Sequence, residues 1–174
     1  MQIRAVAEDD WQLVRDIRLR ALRESPEVFG SSLAREERFL ESHWRMRLRT
    51  SPTWVAVEDD GTPRGLVSMI REPGSSEVDR HVQQMWVAPE VRRRGVAWAL
   101  LDAVVRAAAH DGAETASLWV VEDNASAVDL YVRAGFVRTG ERQVLPRDPD
   151  RTEERYERHV DVAGLDASPR TDQA

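Results

Sequence analysis

The chain is 174 residues long, with no cysteine and with 31 acidic against 25 basic side chains, a net charge of −6. That length suits one domain with its own core; the lack of cysteine removes disulfides, thiolate nucleophiles and cysteine-bound metals, and the acidic balance argues against a general nucleic-acid binder. No apolar run approaches the roughly 20 residues of a membrane span, and the opening MQIRAVAEDD lacks an apolar signal core, so a cytoplasmic protein is expected.

Gln2–Val6 alternates like a short strand. Glu8-Asp9-Asp10 carries helix-start signals, and Trp11, Val14, Ile17 and Ala21 follow at helical spacing up to Ser25-Pro26. Ser31 or Ser32 is placed to cap a second helix running to about Arg49, on an imperfect stripe of Leu33, Leu40, Trp44 and Leu48. Residues 54–58 and 66–71 read as strands about an Asp59-Asp60-Gly61 turn, and 81–88 as a strand ending at Pro89. Ala97, Leu100, Leu101, Val104, Val105 and Ala108 mark the most regular helix. A strand at 116–121, a short helix at 124–134 stopped by Gly135, a strand at 136–145 and a highly charged strand at 153–160 complete the pattern. The order β-α-α-β-β-β-α-β-α-β-β predicts one α/β domain on a mixed sheet over residues 1–161, with 162–174 a flexible tail.

Chemistry concentrates at Arg92-Arg93-Arg94-Gly95-Val96-Ala97, between a strand and the start of the most regular helix. A helix N-terminus offers unpaired N–H groups and a positive dipole end, which suits a phosphate. Gly95 and Ala97 allow close approach to the backbone, and three arginines add charge to an otherwise acidic chain. Charge runs usually decorate solvent; here the run, the small residues and the helix start coincide. The pattern is neither G-x-G-x-x-G nor G-K-[ST], and without lysine a Walker loop is ruled out. A second segment runs Asn124-Ala125-Ser126-Ala127, Leu130-Tyr131, Ala134-Gly135-Phe136. It places Ala127, Leu130, Tyr131 and Ala134 on one face of a short helix. Taken alone, Tyr131 reads as a core aromatic.

The R-x-x-G-x-A loop after a "V-x-P" strand resembles the acetyl-CoA pyrophosphate loop of the GNAT (GCN5-related) N-acetyltransferases, and the Asn124–Phe136 segment resembles their N-x-x-A-x-x-L/F-Y-x-x-x-G-F motif. Arg93 stands where many relatives have glycine, and Ala97 where many have a second one. The resemblance spans residues 3–160. It implies a mixed, mostly antiparallel sheet with helices on both faces and two splayed central parallel strands. It further implies direct acetyl transfer from acetyl-CoA to an amine acceptor in a ternary complex, without a metal, and leaves room for a homodimer. Carried over, backbone of Trp86 and Val87 bonds pantetheine, Arg92, Arg93, Arg94, Gly95, Val96 and Ala97 hold the pyrophosphate, and Asn124 reaches pantetheine or nearby backbone. Tyr131 protonates the departing sulfur.

For the base, period two puts His81, Gln83, Met85 and Val87 on one strand face. The resemblance places a base at Gln83 or His81 in some relatives. Glutamine cannot serve, whereas His81 titrates near neutrality and could act through water; a solvent-facing histidine is the equal alternative. His43, His110 and His159 read as surface residues. Glu24, Glu27 and Glu77 could attract a cationic amine, with nothing to select them. The four histidines lack metal spacing, and Trp44, Trp54, Trp86, Trp98 and Trp119 read as core or cofactor-adjacent. Two other readings stay open: a non-catalytic acyl-CoA sensor, and a protein N-terminal or lysine acetyltransferase.

Overall fold

In the computed structural model, residues 1–145 and 148–160 are described; the tail expected at 162–174 lies outside them. The strands are β1 (Gln2–Val6), β2 (Thr53–Val57), β3 (Pro63–Ile70), β4 (Asp79–Val87), β5 (Thr115–Val121), β6 (Val137–Leu145) and β7 (Asp148–His159). The α-helices are α1 (Trp11–Glu24), α2 (Leu33–Glu36), α3 (Glu41–Thr50), α4 (Val96–His110) and α5 (Ala125–Arg133). The strands form one sheet in the order β1-β2-β3-β4-β5-β7-β6. Every neighbouring pair is antiparallel except β4–β5.

One expected helix is two. Ser32 caps α2 as foreseen, its hydroxyl accepting from the Arg35 N–H, but α2 ends at Glu36 and α3 starts at Glu41. Glu36 is fully buried, bonded by Arg18 of α1 (3.1 and 2.9 Å) and by Arg47 of α3 (2.8 Å). On one continuous helix Glu36 and Arg47 would lie about 16 Å apart along the axis, so the chain turns between them. The Leu40 N–H then donates to His43 Nδ1 (3.1 Å), and the Phe39 ring stacks on His43. His43 thus has a local structural role at the start of α3.

This ion pair also makes a prediction. Burial alone would raise the Glu36 carboxyl, but the two guanidinium groups outweigh it and hold it at about 2. The native value lies below the unfolded one, so the stabilisation is complete above about pH 4.5 and is lost as pH falls toward 2. Denaturant unfolding should show wild type losing about 3 kcal/mol over that window that Glu36→Gln does not lose. Equal pH slopes in the two proteins would contradict this.

The register of β4 decides which side chains meet. Ser68 lies opposite Gln83 and Leu66 opposite Trp86, so β4 carries one extra residue between those pairs. Gln84 absorbs it with φ 59°. The bulge reverses the alternation: His81 and Gln83 share a face with Trp86, and Met85 and Val87 take the other. The single face expected for His81, Gln83, Met85 and Val87 is therefore corrected. Trp86 Nε1 donates to Ser25 Oγ at the end of α1 (3.1 Å), so its face is the α1 side. A Cβ on Gly65, opposite Val87, would come within 3.0 Å of Leu100, so that face is the α4 side. Helix α5 shares the α4 side, where Arg158, opposite Ala116, donates to the Ala134 carbonyl (2.9 Å).

Candidate active site

Strands β4 and β5 pair at only three positions: Asp79 with Thr115, Arg80 with Ala116 and His81 with Ser117. Beyond these the strands part. From Val82 to Val87 the β4 edge facing β5 has no strand partner among the described residues, although its backbone groups require one. A cavity of about 580 Å³ opens at this gap, within the range of small-ligand sites. It is lined from both faces of the sheet: by Ala127, Leu130 and Tyr131 on the α4 side, and by Gln83, Trp86, Trp119 and Glu153 on the α1 side. Trp86 and Val87 sit on the open edge. Trp86 is also fixed by Ser25 and lies beneath the Arg20 guanidinium, 5.6 Å from the ring centroid.

The basic loop closes one end. Arg92 Nε donates to the Val87 carbonyl (3.0 Å), tying the loop to the strand it leaves. Arg93 adopts φ 62°, and Gly95 caps α4 at φ 79°. A Cβ on Gly95 would meet no atom within 4 Å, so the protein leaves this backbone open to a ligand. Arg92, Arg93, Gly95, Val96 and Ala97 line the cavity. Arg94 does not; it borders a separate surface concavity beside Glu58, Asp59 and Asp60.

Asn124 is the N-cap of α5, its Oδ1 accepting from the Ala127 N–H (3.3 Å), and it also lines the cavity. Tyr131 packs edge-on to Phe136 with ring centroids 6.0 Å apart. Among the described residues its hydroxyl has no hydrogen-bond partner, and burial pushes the phenol up to about 12. It is a neutral hydrogen-bond donor in the cavity wall.

His81 is buried, so the solvent-facing alternative expected for it does not hold. It does not line the cavity and does not face solvent. Its Nδ1 lies 3.2 Å from Ser117 Oγ, which donates to Asp79 Oδ2 (2.7 Å) and accepts from Arg155 Nη2 (3.0 Å). With the Ser117 proton committed to Asp79, Nδ1 carries the imidazole proton and donates it to Ser117. Burial pushes the imidazole below its ordinary range despite the Glu72 carboxylate 3.8 Å away.

Trp119 and Glu153 line the cavity, with Glu72 and Arg155 bonded behind Trp119, a polar group absent from the motif reading. Arg155 is buried, and donates to Glu72 Oε2 (2.6 Å) and Asp79 Oδ2 (3.0 Å), while Trp119 Nε1 donates to Glu72 Oε1 (3.2 Å). The signal was present in the charges of β7. Glu153, Arg155 and Glu157 alternate in a strand that lies inside the sheet, and an interior strand has no reason to carry such a row unless its face meets polar groups.

A family model described as the acetyltransferase (GNAT) family matches residues 11–136. The protein named uncharacterized N-acetyltransferase YafP, from Escherichia coli (strain K12), is 27% identical over 146 residues, covering 83% of this chain and 86% of its own length. A GCN5-related N-acetyltransferase from Kribbella flavida has the same fold with a TM-score of 0.71, at 24% identity, over 91% of this chain and 97% of that one. An acetyltransferase of the GNAT family from Streptococcus pneumoniae reaches a TM-score of 0.77 at 16% identity, over 91% and 99%. The match over residues 11–136 holds both motifs and the parted β4–β5 pair, and the chain belongs to the GNAT family of acetyltransferases.

Proposed function

We propose that this protein is an acetyl-CoA-dependent N-acetyltransferase that moves an acetyl group to a primary amine of a small molecule or peptide, by direct attack in a ternary complex. The observation that carries the reading is the cavity through the parted strands, with an arginine-lined helix start at one end and an unpartnered phenol in its wall. The residues present fit acetyl-CoA. The open β4 edge offers backbone pairing to the pantetheine amides, and the loop from Arg92 to Ala97 offers N–H groups and charge to the pyrophosphate, with unfilled space over Gly95. Acetyl-CoA supplies an activated acetyl thioester.

In this reading Trp86 and Val87 orient the pantetheine through their backbone. Arg92 and Arg93 neutralise phosphate charge, and Asn124 holds the start of α5 so that Tyr131 stays in the wall. Tyr131 hydrogen-bonds the departing sulfur. Full proton transfer from a phenol near 12 to a thiolate near 8.5 is uphill by roughly 5 kcal/mol, so the phenol acts by donating a hydrogen bond as charge develops. His81 lies off the wall, and a proton reaches it only through water.

Acetyl-CoA at 100 times its Kd should raise stability by about 2.7 kcal/mol, which for a chain of this size is about 5–10 °C in Tm. Thiol release with a panel of primary amines should then separate the enzyme from a non-catalytic sensor. Absence of a thermal shift with CoA or acetyl-CoA would remove the cofactor assignment; a shift without turnover would favour the sensor.

A further inference from the structure

We propose that Glu153 is the catalytic base that receives the acceptor ammonium and takes its proton. The proposal rests on the acetyltransferase reading above. Glu153 lies on β7 opposite Val121, at the end of β5 where the strands have parted, and it lines the cavity with Gln83, Trp86 and Trp119. Gln143 of β6 donates to its Oε1 (2.6 Å), which fixes the carboxylate, and Oε2 has no partner among the described residues. The carboxylate is held by one oxygen and open at the other.

The charges around it leave room for a cation. Arg155, two residues along the same face, is shared among Glu72 (2.6 Å), Asp79 (3.0 Å), Glu157 (3.3 Å) and Glu141 (3.8 Å). It makes no ion pair with Glu153. Glu72, from the segment joining β3 to β4, adds repulsion. Burial raises the Glu153 carboxyl above the usual carboxylate range, the Gln143 hydrogen bond opposes this, and the Glu72 charge adds to it. That direction suits a base working near neutral pH. On β4, Gln83 cannot accept a proton, and His81, whose Nε2 is the basic nitrogen when Nδ1 donates to Ser117, does not line the cavity. Glu27, from the segment after α1, also lines the cavity.

The step balances. An ammonium held at Oε2 gives one N–H proton to the carboxylate. The freed lone pair forms the C–N bond to the acetyl carbon, the C–S bond breaks, and a second N–H proton goes to the thiolate. Glu153 then releases its proton to water, so one proton leaves per turnover.

The test uses the full chain with acetyl-CoA and four amines (propylamine, cadaverine, glucosamine and an alanine-terminated peptide), following thiol release against pH. Glu153→Gln should lower kcat/KM for the best amine by about 10²–10⁴-fold near neutral pH. KM for acetyl-CoA and the Tm should stay at wild-type values. The defect should shrink by about tenfold per pH unit as the free amine appears, because the variant can use only amine that has already lost its proton. Glu153→Asp should restore part of the rate. A loss equal at every pH with a lowered Tm would mark a structural role and overturn the proposal. So would wild-type rates in Glu153→Gln, or a loss in His81→Ala of the same size and pH dependence as that in Glu153→Gln. Wild type that releases no thiol with any amine would overturn the acetyltransferase reading together with this one.

Discussion

On the proposed placement of the pyrophosphate, Gly95→Glu should abolish the thermal shift produced by acetyl-CoA and weaken its binding by about 10³-fold. Gly95 caps α4 at φ 79°, a conformation that costs an L-residue about 1–2 kcal/mol of fold stability, free or bound. The new carboxylate then stands where the pyrophosphate must approach, and two like charges about 4 Å apart near a protein surface repel by about 4 kcal/mol. Each 1.4 kcal/mol is tenfold in Kd. Gly95→Ala separates the effects. Its Cβ meets no protein atom within 4 Å and carries no charge, so the strain should appear as a lowered Tm while acetyl-CoA affinity stays near wild type. Calorimetric titration of both variants checks this. Gly95→Glu binding acetyl-CoA like wild type would move the pyrophosphate away from this helix start.

Tyr131→Phe lowers kcat by about 10²-fold or more while leaving the Kd of acetyl-CoA nearly unchanged. The ring stays packed against Phe136, and only a hydroxyl without a hydrogen-bond partner among the described residues is removed. Loss of that hydroxyl therefore strands no buried partner, and the fold should not weaken. A donor aimed at developing charge is commonly worth 10²–10³-fold, so the loss should appear in turnover alone. Because the phenol stays neutral up to about 12, the rate ratio of wild type to variant should hold across neutral pH. Wild-type turnover in Tyr131→Phe would leave positioning and the backbone as the source of catalysis.

Local chemistry carried much of this structure. Strand β1 and helices α1, α4 and α5 fall where alternation, helical spacing and stop residues put them, because each helix buries one face against the sheet whose edge β1 forms. The loop from Arg92 to Ala97 and the Asn124–Phe136 segment are contiguous in the chain, so their proximity to a strand end or a helix start is legible without knowing the fold. Tertiary structure decided the rest. The break between α2 and α3 follows from a buried carboxylate shared by Arg18 and Arg47, residues on two other helices. The faces of β4 follow from a bulge whose extra residue is visible only against β3. Most of all, the α1 side of the cavity comes from Gln83, Trp119 and Glu153, on three strands brought together by the β4-β5-β7 order. A period-two pattern tells which residues share a face of one strand. Which face of the sheet meets the cavity, and which charges gather there, depends on strand order and register, and those are settled by long-range packing.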